Sequence, residues 1–173
     1  MKNSWILYTA VSLFLFSSCN EEINETPVKW TKEQSMELNK IWSEEEKYAI
    51  DKFLERRPDW KMTETGTGLL YMKYIEGDGD SAKSGYYAKV DFTISLLDGT
   101  ICYSSDSTGS ESFLIDRSQV ESGLQEGIKF MRVGDKAKFI IPSHLAHGLI
   151  GDMNKIPPLE TVVFDIHLIA LER

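Results

Sequence analysis

Three histidines, two cysteines and a strand-borne aspartate are the side chains of this chain that most invite a chemical reading. His144 and His147 stand three residues apart in a segment with the character of a loop, and His167 projects from a later strand. A zinc site needs converging imidazole, thiolate or carboxylate ligands, and no second cysteine or acidic set accompanies these rings. No metal and no cofactor is therefore expected. No spacing among the serines, histidines and Asp165 argues a nucleophilic triad. Cys102 reads as a buried, inert thiol, and with Cys19 engaged elsewhere no intrachain disulfide is available.

Cys19 carries the one covalent chemistry that the spacing supports. Lys2 supplies a positive start, Trp5 to Phe16 form a short apolar run, and Ser17-Ser18 place small residues before the cysteine. The run is short for a membrane span and suits a signal peptide. The pattern resembles a bacterial lipobox, implying acylation of the Cys19 thiol and cleavage before it. Each buried CH₂ of such chains contributes about 0.8 kcal/mol to membrane binding. The alternative is an ordinary secretory signal that happens to end near a cysteine. The organisation that follows is a lipoprotein signal peptide at 1–18, an acidic tether at 19–30, a helical extension at 31–62 and one domain at 63–173. The tether either resembles the surface-export signal of some Bacteroidota lipoproteins or is a solvated linker.

The elements that position the remaining residues follow from periodicity. Thr31 with Gln34, and Ser43 with Glu46, have capping-box spacing. Leu38, Ile41, Trp42, Ala49 and Phe53 fall near one helical face, and Arg56-Arg57-Pro58 ends the pattern. The second box leaves open a break near Ser43 or one continuous helix. That helix either packs on the following domain or serves as a dimerisation arm. From Gly66 the period becomes two. Strands are expected at Leu69–Ile75, Ala88–Leu96, Thr100–Tyr103, Phe113–Ile115, Lys136–Ile141 and Thr161–Leu171, with a hairpin turn at Asp98-Gly99. Val120, Leu124, Ile128 and Met131 mark a helix face, and Gly123 and Gly127 beside it imply close approach to a sheet. The sum is an α+β fold: an antiparallel sheet of about five strands wrapped around one short helix, preceded by an amphipathic N-terminal helix. The net charge of −8 and the lack of a basic stripe exclude a nucleic-acid partner.

Several segments carry a family likeness. Val90-Asp91-Phe92-Thr93, Asp98-Gly99, Gly123-Leu124-Gln125-Glu126-Gly127, Met131 to Ala137, Ile156-Pro157-Pro158 and Val163-Phe164-Asp165-Ile166 together resemble the FK506-binding-protein (FKBP) family of peptidyl-prolyl cis-trans isomerases. The likeness runs from Gly66 to Arg173. The helical extension and lipobox resemble the lipoprotein FKBPs of Bacteroidota, including those associated with gliding motility.

The resemblance implies rotation about X–Pro amides in an apolar pocket, with no nucleophile or cofactor. Phe92 takes the place of a pocket Tyr, Val120 and Ile156 match apolar walls, Phe164 matches a pocket Phe, and Leu124 stands on the floor where Trp is usual. The Glu121 N–H stands where the family donates to a ligand carbonyl. Cys102 replaces a Phe, Tyr103 replaces the pocket Asp, Glu111 falls about where an aromatic is expected, and His147 replaces a Tyr hydroxyl donor. A neutral imidazole can donate one hydrogen bond in that place, the alternative being a solvent-facing loop residue. Asp165 matches a structural strand acid. The catalytic candidates are thus His147, Phe92 and Phe164. The substrate-binding candidates are Tyr103, Val120, Glu121, Leu124, Ile156 and Cys102. Two functions are implied: a lipid-anchored isomerase that assists folding of exported proteins, or a peptide- or protein-binding module with little catalysis. Its partners are proline-containing segments of exported proteins, the membrane through its anchor, and an envelope protein through residues 31–57. The location implied is the cell envelope, at the outer membrane facing the periplasm or exposed at the surface.

Overall fold

A computed structural model describes residues 30–173, so the expectations for the signal peptide, the lipid-attachment residue Cys19 and nearly all of the tether lie outside the described residues. The chain divides into two units, 1–35 and 36–173. In the first, the Thr31 box is formed: Gln34 N donates to Thr31 Oγ1 at 3.2 Å and Thr31 N to Gln34 Oε1 at 3.0 Å. It starts helix α1, Lys32–Glu55. The second box at Ser43 does not break the helix, and Glu46 turns its carboxylate to another part of the fold.

The second unit is built on one sheet. Its strands are β1 (Thr63–Glu64), β2 (Leu70–Ile75), β3 (Tyr87–Leu96), β4 (Ile101–Ser104), β5 (Glu111–Leu114), β6 (Lys136–Ile141) and β7 (Val162–Glu172). The sheet therefore has seven strands, in the order β1-β2-β6-β7-β3-β4 with β5 also on β3, and every pairing is antiparallel. Two-residue β1 was not expected, because so short a strand leaves no periodicity to read. Two short helices complete the unit, α2 (Ser105–Thr108) and α3 (Ser122–Ile128), with a 3₁₀ turn at Ser143–Leu145. Among the described residues no helix is long and apolar enough to cross a membrane.

Period-two alternation sends neighbouring residues of β6 and β7 to opposite faces. Phe139, Ile141, Val162, Phe164 and Ile166 join the main core with Leu124 and Ile128 of α3. Ile140 and Val163 form a second cluster with Ile50 and Phe53 of α1, closed by Leu54, Trp60 and Leu70. Gly123 and Gly127 explain how α3 sits so close to the sheet. A Cβ on Gly123 would lie 2.3 Å from Ile141 Cγ2, and one on Gly127 would lie 2.8 Å from Phe139 Cε2.

Candidate active site

The site is a cavity of about 430 Å³ between the α3 face of the sheet and the loops around it. Strand β3 contributes Val90, Phe92 and Ile94, three alternate residues of one face, and β7 contributes Phe164 and Ile166. Val120, Glu121 and Leu124 come from the approach to α3 and from its first turn. Ala146 and His147 come from the loop after the 3₁₀ turn, β5 adds Phe113, and Glu111 and Ser112 of β5 with Gln119 form the polar side. The floor is an aromatic and aliphatic surface able to hold a small apolar ring out of water.

Six of the predicted residues share this cavity: Phe92, Val120, Glu121, Leu124, His147 and Phe164. Phe164 is almost wholly buried at 2% exposure, and Phe92 is half-buried, so their rings form floor and wall respectively. Among the described residues the Glu121 N–H has no acceptor, which leaves it free to donate to a bound carbonyl. The imidazole of His147 is not free in the same way. Its Nε2 lies 3.0 Å from Glu121 Oε1, so the two side chains close one edge of the cavity as a pair.

Cys102, Tyr103 and Ile156 are not among the lining residues, contrary to expectation. Cys102 is turned into the core, and burial pushes its thiol pKa up, with the charge of Asp152 adding to the effect. Ile156 is also a core residue; its N–H donates to Asp152 Oδ1 at 2.8 Å. Tyr103 gives its hydroxyl to Asp152 Oδ2 and takes a bond from Asn154 Nδ2 at 3.2 Å. The hydrogen bond to Asp152 holds the Tyr103 phenol above its ordinary pKa.

Sequence reading missed Asp152. Burial raises its carboxyl pKa. The Tyr103 hydroxyl, the Ile156 and Asn154 N–H groups and the charge of His147 outweigh that and bring it down to about 2. The position that the resemblance gives to an acid is a tyrosine here, and a carboxylate meets it from the opposite loop. The local signal was an Asx turn: Asp152 Oδ1 accepts from the N–H groups two and four residues on. Val90, Ile94 and Ile166 were also missed as pocket residues, although the same alternation that predicted the strands puts them on the pocket face.

The three histidines stand apart in role. His144 is exposed with Nε2 3.1 Å from Thr67 O, and His167 sits on β7 opposite Lys136. Among the described residues no group of three or more His, Cys, Asp or Glu could hold a metal ion.

Comparison with known proteins identifies the family. The family model for FKBP-type peptidyl-prolyl cis-trans isomerase matches residues 79–169. The chain is 39% identical over 109 residues to the FKBP-type peptidyl-prolyl cis-trans isomerase FkpA of Aeromonas hydrophila, covering 63% of this chain and 40% of that protein. Its fold is similar to the crystal structure of FkpA from Escherichia coli, with TM-score 0.67, 28% identity, and coverage of 80% of this chain and 64% of that one. A peptidyl-prolyl cis-trans isomerase from Pseudomonas syringae pv. tomato gives TM-score 0.66 at 26% identity, covering 78% of this chain and 96% of that one. The chain thus spans about two-fifths of the length of the Aeromonas relative.

Proposed function

The chain belongs to the FKBP-type peptidyl-prolyl cis-trans isomerase family, and from that premise we propose that it catalyses rotation about X–Pro bonds in the cavity between α3 and the sheet. Rotation about an amide is opposed by a barrier of ~18–20 kcal/mol from C–N double-bond character. The twisted amide has lost its resonance and needs no hydration of a polarised carbonyl. A dry pocket therefore favours it over the planar ground state. Phe164, Leu124, Ile166 and Val120 hold the proline ring, and Phe92 supplies the side wall. The Glu121 N–H, which has no acceptor among the described residues, donates to the carbonyl before proline and keeps the substrate amide in register. The His147 imidazole closes the edge and, with Glu121, sets the polarity there. The single observation carrying this reading is an apolar cavity with three phenylalanines and a backbone donor, Glu121 N–H, that has no acceptor among the described residues.

A second reading is a peptide-binding module with little catalysis, favoured by the Glu121–His147 pair that occupies the imidazole. Prolyl isomerisation measured with protease-free X–Pro peptides separates the two. Catalysis that disappears in Phe164→Ala supports the isomerase; a well-folded protein that binds proline peptides without accelerating their exchange supports the module. His147→Phe is expected to lower turnover more than ground-state binding, and an unchanged rate would remove the imidazole from the mechanism.

The lipobox pattern supports a location for this activity in the cell envelope, on a lipid anchor at Cys19, with proline-containing segments of exported proteins as clients. The combination of lipobox and helical extension supports a lipoprotein subtype of the family of the kind associated with gliding motility, with α1 available to an envelope partner. Cys19→Ala is expected to release the protein from the membrane fraction, and continued membrane retention would contradict the anchor.

A further inference from the structure

We propose that Glu46, on the N-terminal helix and outside the family-matched residues 79–169, is a positioning residue for the pocket wall formed by Ala146 and His147. The inference rests on the isomerase reading of that pocket. Glu46 lies mid-helix, where it has capping-box spacing from Ser43 but caps nothing. Its carboxylate reaches loops of its own unit instead. Oε1 accepts from the Ser143 N–H at 2.6 Å and from Thr161 Oγ1 at 2.6 Å; Oε2 accepts from Ser143 Oγ at 3.2 Å.

Ser143 and Thr161 are two of the few buried polar residues, at 7% and 2% exposure. A buried donor with no acceptor costs its full desolvation, and a charged acceptor makes shorter, stronger bonds than a neutral one. One carboxylate therefore satisfies three donors that would otherwise be stranded. Ser143 in turn organises the loop beyond it. Its carbonyl accepts from Ala146 N at 3.0 Å and from Gly148 N at 2.8 Å, the residues on either side of His147. Ser122 Oγ of α3 donates to Leu145 O at 3.1 Å, tying the same loop to the helix that carries Leu124. The route from α1 to the imidazole is thus Glu46 to Ser143, then Ser143 to the two peptide groups bracketing His147. Without the carboxylate, Ser143 must turn its N–H toward water, and the loop closed on its carbonyl turns with it.

The test compares Glu46→Ala, Glu46→Gln and Ile50→Val in the full chain, reading kcat and KM for an X–Pro peptide and the imidazole NMR resonances of the ligand-free protein. Glu46→Ala is expected to lower kcat about tenfold, since small misplacements of positioned groups cost up to 10²-fold. It should also move the His147 resonances while leaving those of His167 in place. Glu46→Gln is expected to restore most of both. Its amide oxygen can still accept from Ser143 N–H and Thr161, and its NH₂ can donate to the Ser143 hydroxyl. Ile50→Val loosens the same helix without touching the acceptor and should move neither. His147 resonances in Glu46→Ala that superimpose on the parent's, or that Ile50→Val moves equally, would overturn the proposal. If Glu46→Ala does not fold, Thr161→Val removes one of the three bonds and should give a smaller shift of the same resonances; no shift overturns it. The resonances are read without substrate, so a parent protein lacking catalysis would defeat the isomerase reading while this arm still decides the positioning.

Discussion

The two faces of the central sheet use the same strands for different ends. On the α1 face, Ile140 and Val163 meet Ile50 and Phe53, and the cluster is sealed by Trp60 set edge-on to Phe53 at 5.6 Å between ring centroids. Arg57 lies over the Phe53 ring at 3.6 Å, so even the cation there adds to closure. On the α3 face, Phe139 and Ile141 are fully buried, yet Phe92, Val120 and Leu124 stop short of filling the space and leave a cavity of about 430 Å³. The main difference is what covers each face. On one face the last turns of α1 close over the strands through Ile50 and Phe53, whereas on the other the seven-residue α3 covers only part of the sheet and loops supply the rest. The candidate site lies on the α3 face, and α1 on the other face holds, through Glu46, the loop that borders it.

That contrast can be broken by mutation, the heaviest effects falling on the pocket face. Phe164→Ala should cost about 3–5 kcal/mol, typical of a buried Phe truncation, and should abolish proline-peptide binding. Denaturant unfolding and peptide titration check it, and intact binding would mean the cavity is not the site. Gly123→Ala forces a Cβ to 2.3 Å from Ile141 and so pushes α3 off the sheet. It should cost about 1–3 kcal/mol, the range for overpacking, and urea unfolding reads it. Stability equal to the parent's would show that α3 can shift freely.

Apolar packing between α1 and the sheet should respond in stability alone. Ile50→Val is expected to cost about 0.5–1.5 kcal/mol with kcat unchanged; a fallen kcat would show that the α1 face is coupled to the pocket through packing as well. The smallest effect concerns acid. The Asp152 pKa is held at about 2, below its ordinary 3.8. Its ionised form therefore contributes stability above about pH 4, and that contribution fades as the pH falls toward 2. Asp152→Asn should flatten this part of the Tm-against-pH profile. Asp152 is only half-buried, so solvent screening keeps the amplitude small. An unchanged profile would show that Tyr103 and the two N–H groups do not hold the charge.

Much of this was legible in the chain itself. Alternation in Ala88 to Leu96 and the Val120, Leu124, Ile128 spacing located β3 and α3, and the paired glycines announced a close helix–sheet contact that the backbone then makes. The family motifs led to Phe92, Val120, Glu121, Leu124, His147 and Phe164, and these six share one cavity. The same comparison took Cys102 and Ile156 for pocket walls because apolar residues look alike in core and pocket. Only their side-chain direction separates the two, and β4 turns Cys102 inward.

What the sequence determined on its own was therefore local: period, turn chemistry, caps and the set of apolar faces, all consequences of side chains a few residues apart. What the tertiary structure alone decided were meetings across long separations. Tyr103 finds Asp152, His147 finds Glu121, and Glu46 reaches Ser143 and Thr161. Each joins a polar or charged group to a partner that no periodicity links to it. A half-buried donor or carboxylate must be satisfied by whatever group the fold brings near it, and that choice is made by packing.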